Sequence, residues 1–251
     1  VSTPTVRPDQ VSDRGRDAST GGSGWDPLVV AIAAAVALVD VVFVILIGEI
    51  AHVLTVAAIV TVVGIVVMQR RRRVGLGILG VSSLLVLAAA IPFAVGHLGH
   101  PESGVDWSHT VIGLVGRLFV VALVAVAWRE RPDTAARPVG VVAIGLLAVI
   151  GTVALVATAA TSGDDRQEGD IELVVDATAF PERITVASGD VLFVDNTHIF
   201  RHTFTVEGTD IDVELPALQS VRIPIDLPAG SYSVFCDIPG HESMTSVLVV
   251  E

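Results

Sequence analysis

The chain has no lysine: all 15 of its basic residues are arginine, set against 27 acidic residues. Cysteine occurs once in 251 residues, so an internal disulfide framework is excluded. Tyrosine also occurs once, methionine twice, and aromatic residues make up only 5% of the chain. The formal net charge is −12, but the deficit of positive charge is local. From Asp164 to Glu251 there are 17 acidic and 4 basic residues, whereas the rest of the chain is close to neutral. An acidic C-terminal segment of this kind repels nucleic acid and suits a protein partner with a basic patch.

Apolar residues are what the chain has in excess. They make up 52% of it, with a mean hydropathy of +0.72, too apolar for an ordinary soluble domain of this length. Residues 1–26 are polar and aperiodic and read as a disordered cytoplasmic tail. They lack the short basic start and apolar core of a cleavable signal peptide. Five apolar stretches follow, at 28–47, 50–68, 74–95, 107–128 and 139–160. Each is close to the ~20 residues that cross a bilayer as a helix, and none alternates like a barrel strand. Residues 27–160 are therefore predicted to be a membrane α-helical bundle of five transmembrane helices.

Arginines orient it. Arg70, Arg71, Arg72 and Arg73 fall between spans two and three, Arg129, Arg131 and Arg137 between spans four and five, and Arg7, Arg14 and Arg16 in the tail. In a five-span chain these positions share one side, the cytoplasmic one. The expectation is a multi-pass plasma-membrane protein with its N-terminus cytoplasmic and its C-terminal domain extracytoplasmic. Trp25, Trp107 and Trp128 fall at the expected interfaces. Asp40 and Arg117 fall near mid-membrane, where lone charges are costly, so they are expected to face the bundle interior as a buried pair.

Residues 161–170 form a short polar linker, and from Ile171 the pattern changes to period two. Ile171, Leu173 and Val175 alternate with polar residues, as do Ile184 and Val186, Val191 and Phe193, and Phe204 and Val206. Turn signals at Gly189, Asn196, Gly208 and Gly230 separate these runs. Residues 171–251 are predicted to be an extracytoplasmic all-β Greek-key sandwich. Its last turn reads Tyr232-Ser-Val-Phe-Cys236-Asp-Ile-Pro-Gly-His241-Glu-Ser-Met244. A thiolate, an imidazole and a thioether on one short loop are a copper-selective set, and a second imidazole would complete a His₂Cys site with a long Met contact. His202 is the candidate, because it opens the Phe204/Val206 strand. His198, in the preceding loop, is the alternative first ligand. A single cysteine excludes a two-thiolate binuclear copper site, and the absence of any His-x-His pair argues against a multicopper oxidase.

Three pieces of this segment resemble the cupredoxins, the plastocyanin and amicyanin family of small type 1 (blue) copper proteins. They are the run from Phe180 to Asn196, His202-Thr-Phe-Thr-Val206, and the Tyr232–Met244 loop with its closing strand at 246–250. The resemblance implies one copper, with His202, Cys236 and His241 in a trigonal plane and Met244 axial. The family commonly has Asn directly after the first His, tying the two ligand loops together; here that residue is Thr203. The implied function is one-electron transfer to a redox protein through an exposed edge of His241, a carrier and not an enzyme.

The membrane half leaves further readings open. His52, His97, His100 and His109 all lie at the outer ends of spans two to four. They suggest either a haem b ligated by His52 and His109 or a copper-loading patch with Glu49 and Glu102 nearby. The corresponding alternatives to a plain carrier are a copper-handling acceptor or chaperone, and a haem- or quinol-linked redox enzyme that feeds the copper domain.

Overall fold

The computed structural model describes residues 24–47, 52–129, 136–177 and 179–251. Most of the expected tail, the arginines at 7, 14, 16 and 131, and Glu49 lie outside these residues. Five helices come first: α1 Trp25–Ile47, α2 His52–Arg70, α3 Arg72–His97, α4 Gly104–Trp128 and α5 Ala136–Ala160. All five are long and apolar enough to cross a membrane. Each extends at one end or both beyond the apolar stretch that marked it in the sequence. The clearest difference is α1, which begins inside the stretch assigned to the tail. Trp25 is 4% exposed and packs with Leu76, Leu79 and Ala127. Asp26 takes a two-pronged bond from Arg72, at 2.7 and 2.9 Å. These contacts give the first turn of α1 tertiary partners, which is where most helical stability comes from.

The first four helices form a closed ring, α1 against α2, α2 against α3, α3 against α4 and α4 back against α1. The fifth packs on the outside, against α4. Outward residues such as Val53, Ile59, Leu85 and Ile144 are apolar and exposed, as the lipid-facing surface of such a bundle requires. At the α1–α4 contact, a Cβ on Gly116 would collide with the Val36 side chain, so the glycine lets the two helices approach without displacing it. It brings Asp40 and Arg117 together between the same two helices. Arg117 Nη2 lies 2.5 Å from Asp40 Oδ2, and Arg117 Nη1 donates to the Gly113 carbonyl at 3.1 Å.

Eight strands follow: β1 Ile171–Val175, β2 Arg183–Val186, β3 Val191–Asn196, β4 His202–Val206, β5 Asp212–Leu215, β6 Gln219–Pro224, β7 Gly230–Phe235 and β8 Thr245–Val250. They make a three-stranded sheet, β1-β3-β6, and a five-stranded sheet, β2-β8-β7-β4-β5. The β1–β3 and β2–β8 pairs are parallel. Val175, Leu192, Phe204, Val234 and Leu248 are among the residues buried in one shared core; in β3 the core face is Leu192 and Val194, not the expected Val191 and Phe193, because the strand is buried on both sides and its alternation does not mark the inward face. Burying a side chain of this size contributes roughly 1.5–3 kcal/mol. Phe204 is fully buried with its ring edge-on to Phe180, 5.8 Å between centroids, which fixes β4 against the loop before β2.

The linker is not free over its whole length. The Asp164 amide donates to the Ser220 carbonyl at 2.8 Å, and its carboxylate accepts from the Arg222 amide at 2.7 Å. Arg222 also forks onto Asp170 with two 2.8 Å bonds. That guanidinium, with the Gln167 amide, lowers the Asp170 carboxyl to about 2.

Candidate metal centre

The site is built from two chain segments at one end of the sandwich. The first is the turn between β3 and β4. Asn196, fully buried, donates through Nδ2 to the carbonyls of Phe200, Leu215 and Pro216 at 2.9–3.0 Å, while its Oδ1 accepts from the His198 amide at 3.1 Å. This clamp sets the path of residues 197–201 and delivers His202 into the core at the start of β4. The second segment is the loop from Cys236 to Met244 between β7 and β8. It closes on itself: the Cys236 amide bonds the Met244 carbonyl at 3.1 Å, His241 bonds Ile238 at 3.0 Å, and Met244 bonds the His241 carbonyl at 2.8 Å. Gly240 has φ +93, a conformation only glycine adopts cheaply, and it turns the chain into His241.

Thr203 ties the two segments. Its amide points at Cys236 Sγ, 3.4 Å away, and its hydroxyl accepts from the Asp237 amide at 2.7 Å. The cross-link that the family commonly makes with an asparagine side chain is made here by a hydroxyl.

These constraints bring a nitrogen of His202, a nitrogen of His241 and the sulfur of Cys236 within 4.8 Å of one another. Cys236 Sγ is 3.5 Å from His241 Nδ1. Cys236 is 4% exposed, and His202 and Met244 are fully buried. His202 Nδ1 is buried without a hydrogen-bond partner, an uncommon and costly state for a ring nitrogen. Its other nitrogen, Nε2, lies 3.0 Å from His198 Nδ1. His198, the alternative first ligand, is not one of the three residues whose donor atoms converge; its Nδ1 faces the second nitrogen of His202.

Burial is the main reason both rings stay neutral. It lowers His202 from 6.5 to about 3, with unfavourable electrostatic interactions with His241, His198 and Arg201 adding to it. Burial also lowers His241, with Asp106 opposing and His97 and His198 assisting. Two neutral imidazoles and a thiol, one with an orphaned lone pair, fit a soft or borderline transition metal.

The end of the sandwich that carries these donors is seated on the end of the bundle where α3 closes and α4 begins. Arg201, 4% exposed, bonds Glu214 at 2.6 Å and reaches the Gly96 carbonyl of α3 at 2.9 Å. The Ala217 amide donates to Ser103 Oγ at 3.2 Å. Phe200 stands edge-on to Phe43 of α1, 5.2 Å between centroids, and 6.3 Å from the His241 ring on its other side. The expected open edge of His241 is therefore half-buried and turned to the bundle.

The rim histidines differ in surroundings. His109 stacks face to face on Phe43 at 3.6 Å, with its Nε2 3.5 Å from Asp40 Oδ1. His97 Nδ1 lies 2.9 Å from Asp106 Oδ2, and His100 bonds Glu102 at 2.8 Å. His52 is exposed at the start of α2. The haem expected through His52 and His109 gains no support, because the His109 ring face is covered by Phe43 and its Nε2 is turned to Asp40. Among the described residues, His202, Cys236 and His241 form the one cluster of three or more histidine, cysteine or carboxylate groups close enough to share an ion.

Residues 145–250 match the family model of the Cupredoxin-like domain, starting within α5 and ending at the close of β8. The eight-stranded sandwich that follows the five membrane-length helices is thus a cupredoxin-like domain, lying wholly within that match. Among solved structures, amicyanin from Paracoccus versutus (Thiobacillus versutus) is 18% identical over 36% of this chain and 90% of its own, with a TM-score of 0.31. A reduced tryptophan-to-tyrosine mutant of amicyanin is 18% identical over 35% and 87%, with a TM-score of 0.31. The Cu(I) form of a methionine-to-alanine amicyanin mutant is 17% identical over 36% and 90%, with a TM-score of 0.32. No curated protein matches the chain.

Proposed function

We propose that the protein is a membrane-anchored carrier of single electrons, with one type 1 copper held by His202, Cys236 and His241 and a weaker contact from Met244. The observation that carries this reading is the convergence of the three donors, with His202 Nδ1 buried and otherwise unpartnered. Bound there, copper supplies a one-electron couple between Cu(I) and Cu(II). The chain's own contribution is rigidity and dryness. The closed loop, the Thr203 cross-link and the Asn196 clamp hold the donors in place, and burial of His202 and Met244 excludes water. Neutral rings mean that nothing but the thiol must lose a proton for the metal to enter.

The arginine distribution supports an extracytoplasmic position for this domain. Arg70 and Arg72 lie at the bundle end opposite the one that carries Gly96 and Ser103, where the domain is seated. The acidic surface of residues 164–251 supports a basic redox protein as partner. The visible and EPR spectra of the full chain after addition of one equivalent of Cu(II) test the assignment. A thiolate-to-copper charge-transfer band is expected, lost in Cys236→Ser without loss of the sheet signal. A band that survives the substitution would refute it.

A further inference from the structure

His97 and Asp106 stand where the sandwich meets the bundle, and the donor cluster proposed above uses neither. His97 is in the last turn of α3 and Asp106 in the first turn of α4. Asp106 is 3% exposed. Its Oδ2 is 2.9 Å from His97 Nδ1, yet that oxygen has no hydrogen-bond partner. The two atoms are at ion-pair distance but outside the alignment of a hydrogen bond. Metal bonds of ~2.0–2.1 Å to imidazole and carboxylate place adjacent donors about 2.8–3.4 Å apart, which brackets the observed separation. A buried carboxylate with an unsatisfied oxygen calls for a cation.

The pair also lies at the approach to the copper site. Arg201 grips the carbonyl of Gly96, directly before His97, and Ala217 is bonded to Ser103, three residues before Asp106. A Cβ on Gly240, the residue before His241, would come 3.3 Å from the Phe93 ring of α3. After burial, Asp106 and His97 are the largest influences on the His241 ring.

We propose that His97 and Asp106 form a second copper site, a Cu(II) acceptance site on the bundle rim that passes the ion to the cupredoxin-like domain past His241. A nitrogen and oxygen donor pair suits Cu(II), with water completing its coordination, and the thiolate-containing site beyond it is the better ligand set. Transfer changes no oxidation state. The ion leaves one imidazole and one carboxylate, binds His202, Cys236 and His241, and the Cys236 thiol releases its proton to solvent. The inference rests on the copper assignment above only for its destination.

The test is a Cu(II) titration of the metal-free full chain in lipid nanodiscs, followed by EPR. The wild type should take a second equivalent with an ordinary, non-blue EPR signal. His97→Gln and Asp106→Asn should each weaken that second equivalent by at least roughly tenfold and slow the growth of the blue band at low copper, leaving its final intensity unchanged. His52→Gln, at an exposed rim histidine, should leave both signals as they are. If Asp106→Asn does not fold, His97→Gln alone decides. A second equivalent that is absent, or indifferent to His97→Gln, would leave the pair as a structural ion pair and overturn the proposal. A His97-dependent signal in a chain that never turns blue would uphold this site and refute the type 1 centre instead.

Discussion

Acid should unfold the metal-free protein through His202. The ring is fully buried, and its folded value is about 3 against 6.5 in the unfolded chain. Between those values the unfolded chain binds a proton that the native chain refuses, so stability falls as pH falls. The whole shift corresponds to about 5 kcal/mol, of the order of a small domain's total stability. Between about pH 6 and pH 4 the loss from this residue is about 2.5 kcal/mol. His241, lowered in the same direction, adds to it. Asp170 does not interfere: its carboxyl is depressed to about 2 from 3.8, so its contribution is intact above 3.8 and is lost only below that. The measurement is denaturant unfolding of the copper-free chain, read by the sheet signal in circular dichroism, for wild type and His202→Gln. The variant lowers stability by some constant amount, but it should also flatten the pH dependence across this window. An identical slope in the two proteins would show that His202 is not buried as a neutral ring.

Met244→Leu should leave the loop folded and the visible band present while raising the reduction potential, as loss of a weak axial donor does; an unchanged potential in redox titration would remove Met244 from the site. Asp40→Asn or Arg117→Gln alone should cost roughly 3–5 kcal/mol by stranding the other charge, and the double variant should cost less than the worse single one in thermal unfolding in detergent. Phe200→Ala should loosen the seat on the bundle, read as faster hydrogen exchange at Gly96 to Ser103 than in the wild type. Thr203→Val removes the acceptor of the Asp237 amide and leaves a buried donor unmade at a cost of about 1–3 kcal/mol, measurable as lowered stability of the sandwich.

Local patterns made much of this structure legible. The period-two alternation of Ile184, Val186, Phe204 and Val206 survives as buried positions because a strand's two faces are set by adjacent residues. The cluster of Cys236, His241 and Met244 was visible because the three share one nine-residue loop. Asp40 and Arg117 could be matched across 77 residues because each alone is intolerable in an apolar helix. The clamp at Asn196 was not legible, since an Asn after a strand reads equally well as a plain turn. Nor was the contact between the His198 and His202 rings, four positions apart in the sequence. The docking of the sandwich on the bundle left no mark: Arg201 meets Gly96 through a backbone carbonyl, a partner that carries no residue signature.

That docking bears directly on how a carrier would work. With His241 turned to the bundle, a soluble partner reaches this edge only if the domain lifts away. Phe200 packs on Phe43 at this seat, and the polar contacts among the described residues are individually weak. Three neutral or singly charged hydrogen bonds join the domain to Gly96, Glu102 and Ser103, each contributing about 0.5–3 kcal/mol. The His100–Glu214 pair, at 3.8 Å and partly exposed, adds little. The linker limits the movement more than the interface does. Because Asp164 is fastened to Ser220 and Arg222, only residues 161–163 separate the end of α5 from the domain. Three extended residues span about 10 Å, enough to tilt the sandwich but not to release it. A full swing requires both Asp164 and Asp170 to leave β6, after which all ten linker residues extend to at most ~35 Å. The structure shows the seated state, with His241 turned to the bundle end that carries His97 and Asp106; on the carrier reading proposed above, exposure of His241 would require a second, tethered state.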